Sequence, residues 1–84
     1  MNKLIVEILR HAYEHKNHRD DGVVLIPNPE GYTPQEIEVV VDFCGTAGYL
    51  EVIGMGKPTL DGVAGSIRLT KQGEDYLHAQ LRES

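Results

Sequence analysis

One cysteine, one phenylalanine and no tryptophan stand among the 84 residues of this chain. The lone thiol, Cys44, has no partner for an intramolecular disulfide and no second thiolate for a Cys-based zinc site, so packing alone must hold the fold. Serine is almost as scarce, and neither Ser66 nor Ser84 sits in a nucleophile motif. Gly54-Met55-Gly56-Lys57 imitates a phosphate loop, but no glycine lies five residues before Gly56 and Pro58 replaces the hydroxyl residue, so the Walker pattern fails. No enzymatic activity and no cofactor are expected. No apolar run is long enough to cross a bilayer, and Glu7 interrupts the N-terminal apolar stretch after three residues, which excludes a signal peptide and leads us to expect a cytoplasmic protein.

Positive charge is missing from the middle of the chain. The formal net charge is −5, and residues 20–51 hold Asp20, Asp21, Glu30, Glu36, Glu38, Asp42 and Glu51 with no lysine or arginine. A wholly acidic segment repels phosphate backbones.

With 40% hydrophobic and 25% charged residues, the chain has the composition of one folded domain over residues 1–84. So short a chain buries only about 60% of the surface its unfolded form exposes, which favours sharing a face with a partner. Leu4, Ile5, Ile8, Leu9, Ala12 and Tyr13 recur at helical spacing and predict an amphipathic helix from about Lys3 to Lys16. Val23-Val24-Leu25-Ile26 reads as a strand stopped by Pro27, and residues 27–31 read as loop. Tyr32-Thr33-Pro34-Gln35-Glu36-Ile37 predicts a helix start: Thr33 as cap, Pro34 at the first position, Glu36 closing a capping box and Tyr32 stapled to Ile37. The helix should run to Ala47 and end on Gly48. Residues 49–53 and 66–69 alternate as a strand pair, joined by a long, mobile, glycine-rich tip over residues 54–65. Thr70 then caps a last helix carrying Tyr76, Leu77 and Leu81.

Two segments resemble the winged-helix superfamily, most closely small winged-helix proteins of bacterial and phage genomes. Thr46-Ala47-Gly48-Tyr49-Leu50 is similar to the helix-to-strand corner of such regulators, and residues 68–77, Arg-Leu-Thr-Lys-Gln-Gly-Glu-Asp-Tyr-Leu, are similar to their junction between sheet and final helix. The resemblance spans residues 31–81. It implies an α+β fold, three helices packed on a small antiparallel sheet with a long hairpin wing, and a DNA-binding regulatory function. The chain departs from the pattern in one respect: between the first strand and Thr33 there is only loop where a positioning helix belongs.

Three groups of residues are candidates for function. If DNA is bound, the usable cations are Lys57 on the wing, Arg68 and Lys71 beside it, and Lys16 and Arg19 at the end of the first helix. On the helix after Thr33 the apolar residues spread over roughly 200° of arc, which suits either a second apolar surface beside the core-facing one or a helix covered by both the first and the last helices. Its polar stripe carries Glu38 and Asp42 and no cation. That pattern suits a protein-interaction module, with Glu38, Val39, Asp42 and Phe43 at the contact, or a homodimer burying Val39 and Phe43. The third group is His11, His15 and His18 along one edge of the first helix, where His11 and His15 are spaced to chelate a divalent ion. Glu7 and Glu14, each four residues before a histidine, make ordinary stabilising pairs the simpler account, and no metal is expected.

Overall fold

A computed structural model describes residues 2–83 and shows an α+β chain of three helices and a three-stranded antiparallel sheet. Helix α1 spans Asn2–His15 and passes into a single 3-10 turn, Lys16–His18. Strand β1 is Val23–Leu25, helix α2 is Pro34–Ala47, strands β2 and β3 are Leu50–Met55 and Gly65–Leu69, and helix α3 is Lys71–Glu83. The strand order is β1-β3-β2, so the last strand in sequence lies in the middle.

The pleat sorts the sheet into two faces. Val24, Ile67 and Val52 share one row, and Val24 and Ile67 belong to the core. Val23, Arg68 and Glu51 form the adjacent row on the opposite face. The register of β2 slips between Val52 and Gly54, which leaves Ile53 as the extra residue of a bulge. The core is one cluster drawn from every helix and strand, with Ile8, Leu9, Ile37, Val41, Ile67 and Leu77 at its centre.

The start of α2 forms as its residues dictate. The Thr33 hydroxyl accepts from the Glu36 N–H at 3.1 Å, while the Glu36 carboxylate accepts from the Thr33 N–H at 2.8 Å. Two donors left unpaired at a helix start are thereby satisfied. Tyr32 packs on the core cluster that contains Ile37. At the other end Gly48 takes φ +84°, the left-handed conformation that releases the chain into β2.

The two segments that carry the winged-helix resemblance meet in space. The Thr70 hydroxyl donates to the Gly48 carbonyl at 2.6 Å and accepts from the Gly73 N–H at 2.9 Å. The Thr70 N–H donates to the Tyr49 carbonyl, and the Gln72 amide donates to the Ala47 carbonyl. Tyr49 and Tyr76 stack with ring centroids 4.5 Å apart. Gly73 is buried, and a methyl at its position would collide with the Tyr49 carbonyl oxygen. The absent side chain is what lets α3 start against the corner between α2 and β2.

The hairpin tip differs from the free wing that its composition suggests. Asn28, in the loop after β1, donates to the carbonyls of Ile26 and Val63 and accepts from the Val63 N–H at 2.8 Å. Val63 is buried in the core. The base of the tip is therefore fastened to the loop between β1 and α2. Residues 59–62 close a turn through reciprocal backbone bonds between Thr59 and Gly62.

Candidate functional site

The five cations expected at a DNA interface do not converge on one free basic surface. Arg68 stretches across the outer sheet face, donating from Nε to the Asp21 carbonyl and from Nη1 to the Glu51 carboxylate. Lys71 pairs with Asp75 one turn along α3 at 2.8 Å, and Arg19 pairs with Asp21 at 3.0 Å. Lys16 joins the end of α1 to α3 through Glu74 at 3.0 Å and lies 4.7 Å over the ring of Tyr13. Only Lys57, exposed on the tip, carries no ion pair within this group. Sequence reasoning misses the pairings of Lys16 and Arg68 because Lys16 and Glu74 lie 58 positions apart and Arg68 and Glu51 lie 17 apart.

Exposed pairs of this kind contribute about 0–1 kcal/mol each, so they do not lock the side chains in place. Their effect is to cancel charge. A phosphate meeting one of these cations must displace a carboxylate that stays close and goes on repelling it.

Helix α2 divides its wide apolar arc between the core and solvent. Ile37, Val40, Val41 and Cys44 face the core, whereas Val39 is 55% exposed and Phe43 45% exposed. Asp42 is exposed and Glu38 half-buried on the same helix, and among the described residues neither is in an ion pair. The Val39–Phe43 strip is thus about half exposed. Beside it, a groove of about 410 Å³ opens between α1 and α2, lined by Leu4, Tyr32, Gln35, Glu36, Val39 and Val40. Cys44 takes no part in this surface. It is fully buried, and burial pushes its thiol up to about 11, so it stays protonated and unreactive at neutral pH.

The histidines do come together, although His18 belongs to the 3-10 turn rather than to α1. The rings of His11 and His15 stack at 4.1 Å, and His15 meets His18 edge-on at 5.0 Å. One ring nitrogen of His15 is already committed to the His11 carbonyl at 2.9 Å. Glu14 pairs with Arg10 at 3.5 Å. Burial, then the neighbouring charge of His15, holds the His11 pKa below the ordinary histidine value. Among the described residues, no three His, Cys, Asp or Glu side chains are placed to hold a metal ion. No helix among the described residues is long and apolar enough to cross a membrane. Comparison with family models, curated proteins and solved structures finds no match to this chain.

Proposed function

We propose that this chain is a winged-helix-like module that captures a protein partner through α2. The order of its elements, its antiparallel sheet and its β2–β3 hairpin support the winged-helix part of that description. One observation carries the functional part: the helix in the recognition position presents Val39 and Phe43 to solvent beside Glu38 and Asp42, with no cation on the helix. Base readout draws chiefly on Arg, Lys, Asn and Gln, and carboxylates near phosphates cost affinity. An exposed apolar strip with acidic flanks is suited to a protein surface instead.

The alternative is a DNA-binding regulatory protein contacting phosphates through its tip, and Lys57 favours it by standing unpaired there. A homodimer through Val39 and Phe43 would set Glu38 and Asp42 of one copy near those of the other, with no cation on α2 to answer them. We therefore favour a different protein as the partner. Fluorescence anisotropy with a random-sequence DNA duplex, at about 20 mM and about 150 mM salt, tests the choice, because electrostatic binding is strongest at low salt. The interaction module predicts no saturable binding at either concentration. Saturable binding at low salt that is lost in the Lys57→Ala, Arg68→Ala double variant and strengthened by Glu38→Ala would replace it with the DNA-binding function.

A further inference from the structure

We infer that the docking surface runs beyond α2 to the hairpin tip and takes a basic amphipathic helix of another protein, an inference that rests on the interaction function proposed above. The groove beside Val39 is walled on one side by Tyr32. A second concavity of about 220 Å³ lies between the tip and the start of α2, and Tyr32, Pro29, Pro34 and Leu60 all line it. Tyr32 thus stands between two hollows that together lead from α2 to the tip. Leu60 is fully exposed at the far end. It sits on a turn closed by two backbone bonds, at the end of a hairpin held by Asn28. A large apolar side chain presented to water on a fixed turn has the form of an anchor residue awaiting a partner.

Charge selects the occupant. Glu36 lines the first hollow, Glu30 and Asp61 line the second, and no lysine or arginine lines either. With Glu38 and Asp42 on α2, carboxylates run the length of the surface, and Lys57 on the other side of the tip is the cation nearest its far end. A second copy placed symmetrically would bring like charges together, and a nucleic acid would be repelled along the same path. Lysines or arginines flanking an apolar stripe complement it. Val39 and Phe43 stand one turn apart, the spacing of side chains that a crossing helix meets.

The test titrates the full chain into a fluorescein-labelled peptide of about 18 residues, built from leucine and lysine at helical spacing. A peptide of the same composition, scrambled to destroy the apolar face, is the control. At about 150 mM salt we expect one-to-one binding at least about tenfold tighter for the amphipathic peptide. Val39→Ser and Leu60→Ser should each weaken it at least about threefold. The Glu38→Gln, Asp42→Asn double variant should weaken it and flatten its salt dependence, while Glu83→Gln on α3 leaves it unchanged. All these positions are at least partly exposed, and urea midpoints equal to wild type confirm that each variant is folded. If Val39→Ser weakens binding and Leu60→Ser does not, the α2 surface stands and its extension to the tip is overturned. Equal binding of the scrambled peptide, or insensitivity to both serine variants, overturns the inference and the α2 reading together. A doubled solution mass with the peptide excluded would assign the surface to a second copy and overturn the proposed occupant.

Discussion

Replacing Gly73 by alanine would place a methyl group against the Tyr49 carbonyl oxygen and 2.9 Å from Cδ1 of Leu69. On an open helix the same change stabilises by about 0.8–1.0 kcal/mol, because alanine loses less backbone entropy than glycine. Here the first turn of α3 must instead retreat from the corner between α2 and β2. The retreat loosens the bonds from Thr70 to Gly48 and Tyr49 and from Gln72 to Ala47. Overpacking against backbone costs about 1–3 kcal/mol, and each weakened hydrogen bond adds up to about 0.5–1.5 kcal/mol. With one of these bonds lost and the propensity gain subtracted, a net loss of about 0.5–4 kcal/mol remains. For a domain of this size that lowers Tm by about 4–8 °C per kcal/mol. Gly45→Ala on α2 is the matched control, since its methyl would meet only the Cγ2 end of Val52 at 3.0 Å. A side-chain methyl can yield where a carbonyl cannot, so Gly45→Ala should lie within about 1 kcal/mol of wild type. Urea unfolding followed by far-ultraviolet circular dichroism measures both. A Gly73→Ala variant as stable as Gly45→Ala would refute the steric reasoning.

Three further outcomes follow from local geometry. Thr33→Ala removes the acceptor for the Glu36 N–H and should cost about 0.5–2 kcal/mol in urea unfolding; no measurable loss would mean that the capping box contributes nothing. Asn28→Ala deletes the two hydrogen bonds that tie the tip to the body at Val63 and a local bond to the Ile26 carbonyl, so backbone amides at 56–64 should exchange faster and stability should fall by about 1–3 kcal/mol; unchanged exchange at Val63 would contradict the clasp. Because His11 has a lowered pKa when folded, the unfolded chain takes up the proton first as pH falls. Stability should therefore be full above the unfolded pKa of about 6.5 and decline as pH drops through the lower folded value. His11→Gln should reduce that slope between about pH 7.5 and 5.5, and a slope unaltered by the substitution would assign it to other groups.

Much of this architecture is written in short-range pattern. Thr33 with Glu36 and Gly48 after Ala47 each specify a local conformation through groups only a few positions apart and form where the pattern places them; the strands expected at 49–53 and 66–69 do pair, but they extend to Met55 and back to Gly65 through a bulge at Ile53 that the alternation does not show. The width of the α2 arc is legible too, but periodicity does not say whether other helices cover it, and only the packing shows Val39 and Phe43 about half exposed. The clasp of Asn28 on Val63 was not legible, because it joins side chain to backbone across 35 positions, and an asparagine between two prolines reads simply as loop. The neutralised state of Arg68 and Lys16 was hidden for the same reason: periodicity assigns a side chain to a face but does not name its partner on another element. Lys71 with Asp75 is the exception, an i,i+4 pair that the sequence displays directly.

The central claim, that α2 rather than the hairpin tip alone is the working surface and that its partner is a protein, is tested most directly by amide shift mapping. The 15N-labelled chain is titrated separately with the leucine–lysine peptide and with a DNA duplex at about 20 mM salt, where electrostatic binding is strongest. If a protein is the partner, the peptide shifts residues 35–46 together with Tyr32 and Leu60, while DNA shifts nothing beyond the change in ionic conditions. Shifts induced by DNA at Lys57, Arg68 and Lys71, with residues 35–46 silent toward the peptide, would contradict the central claim.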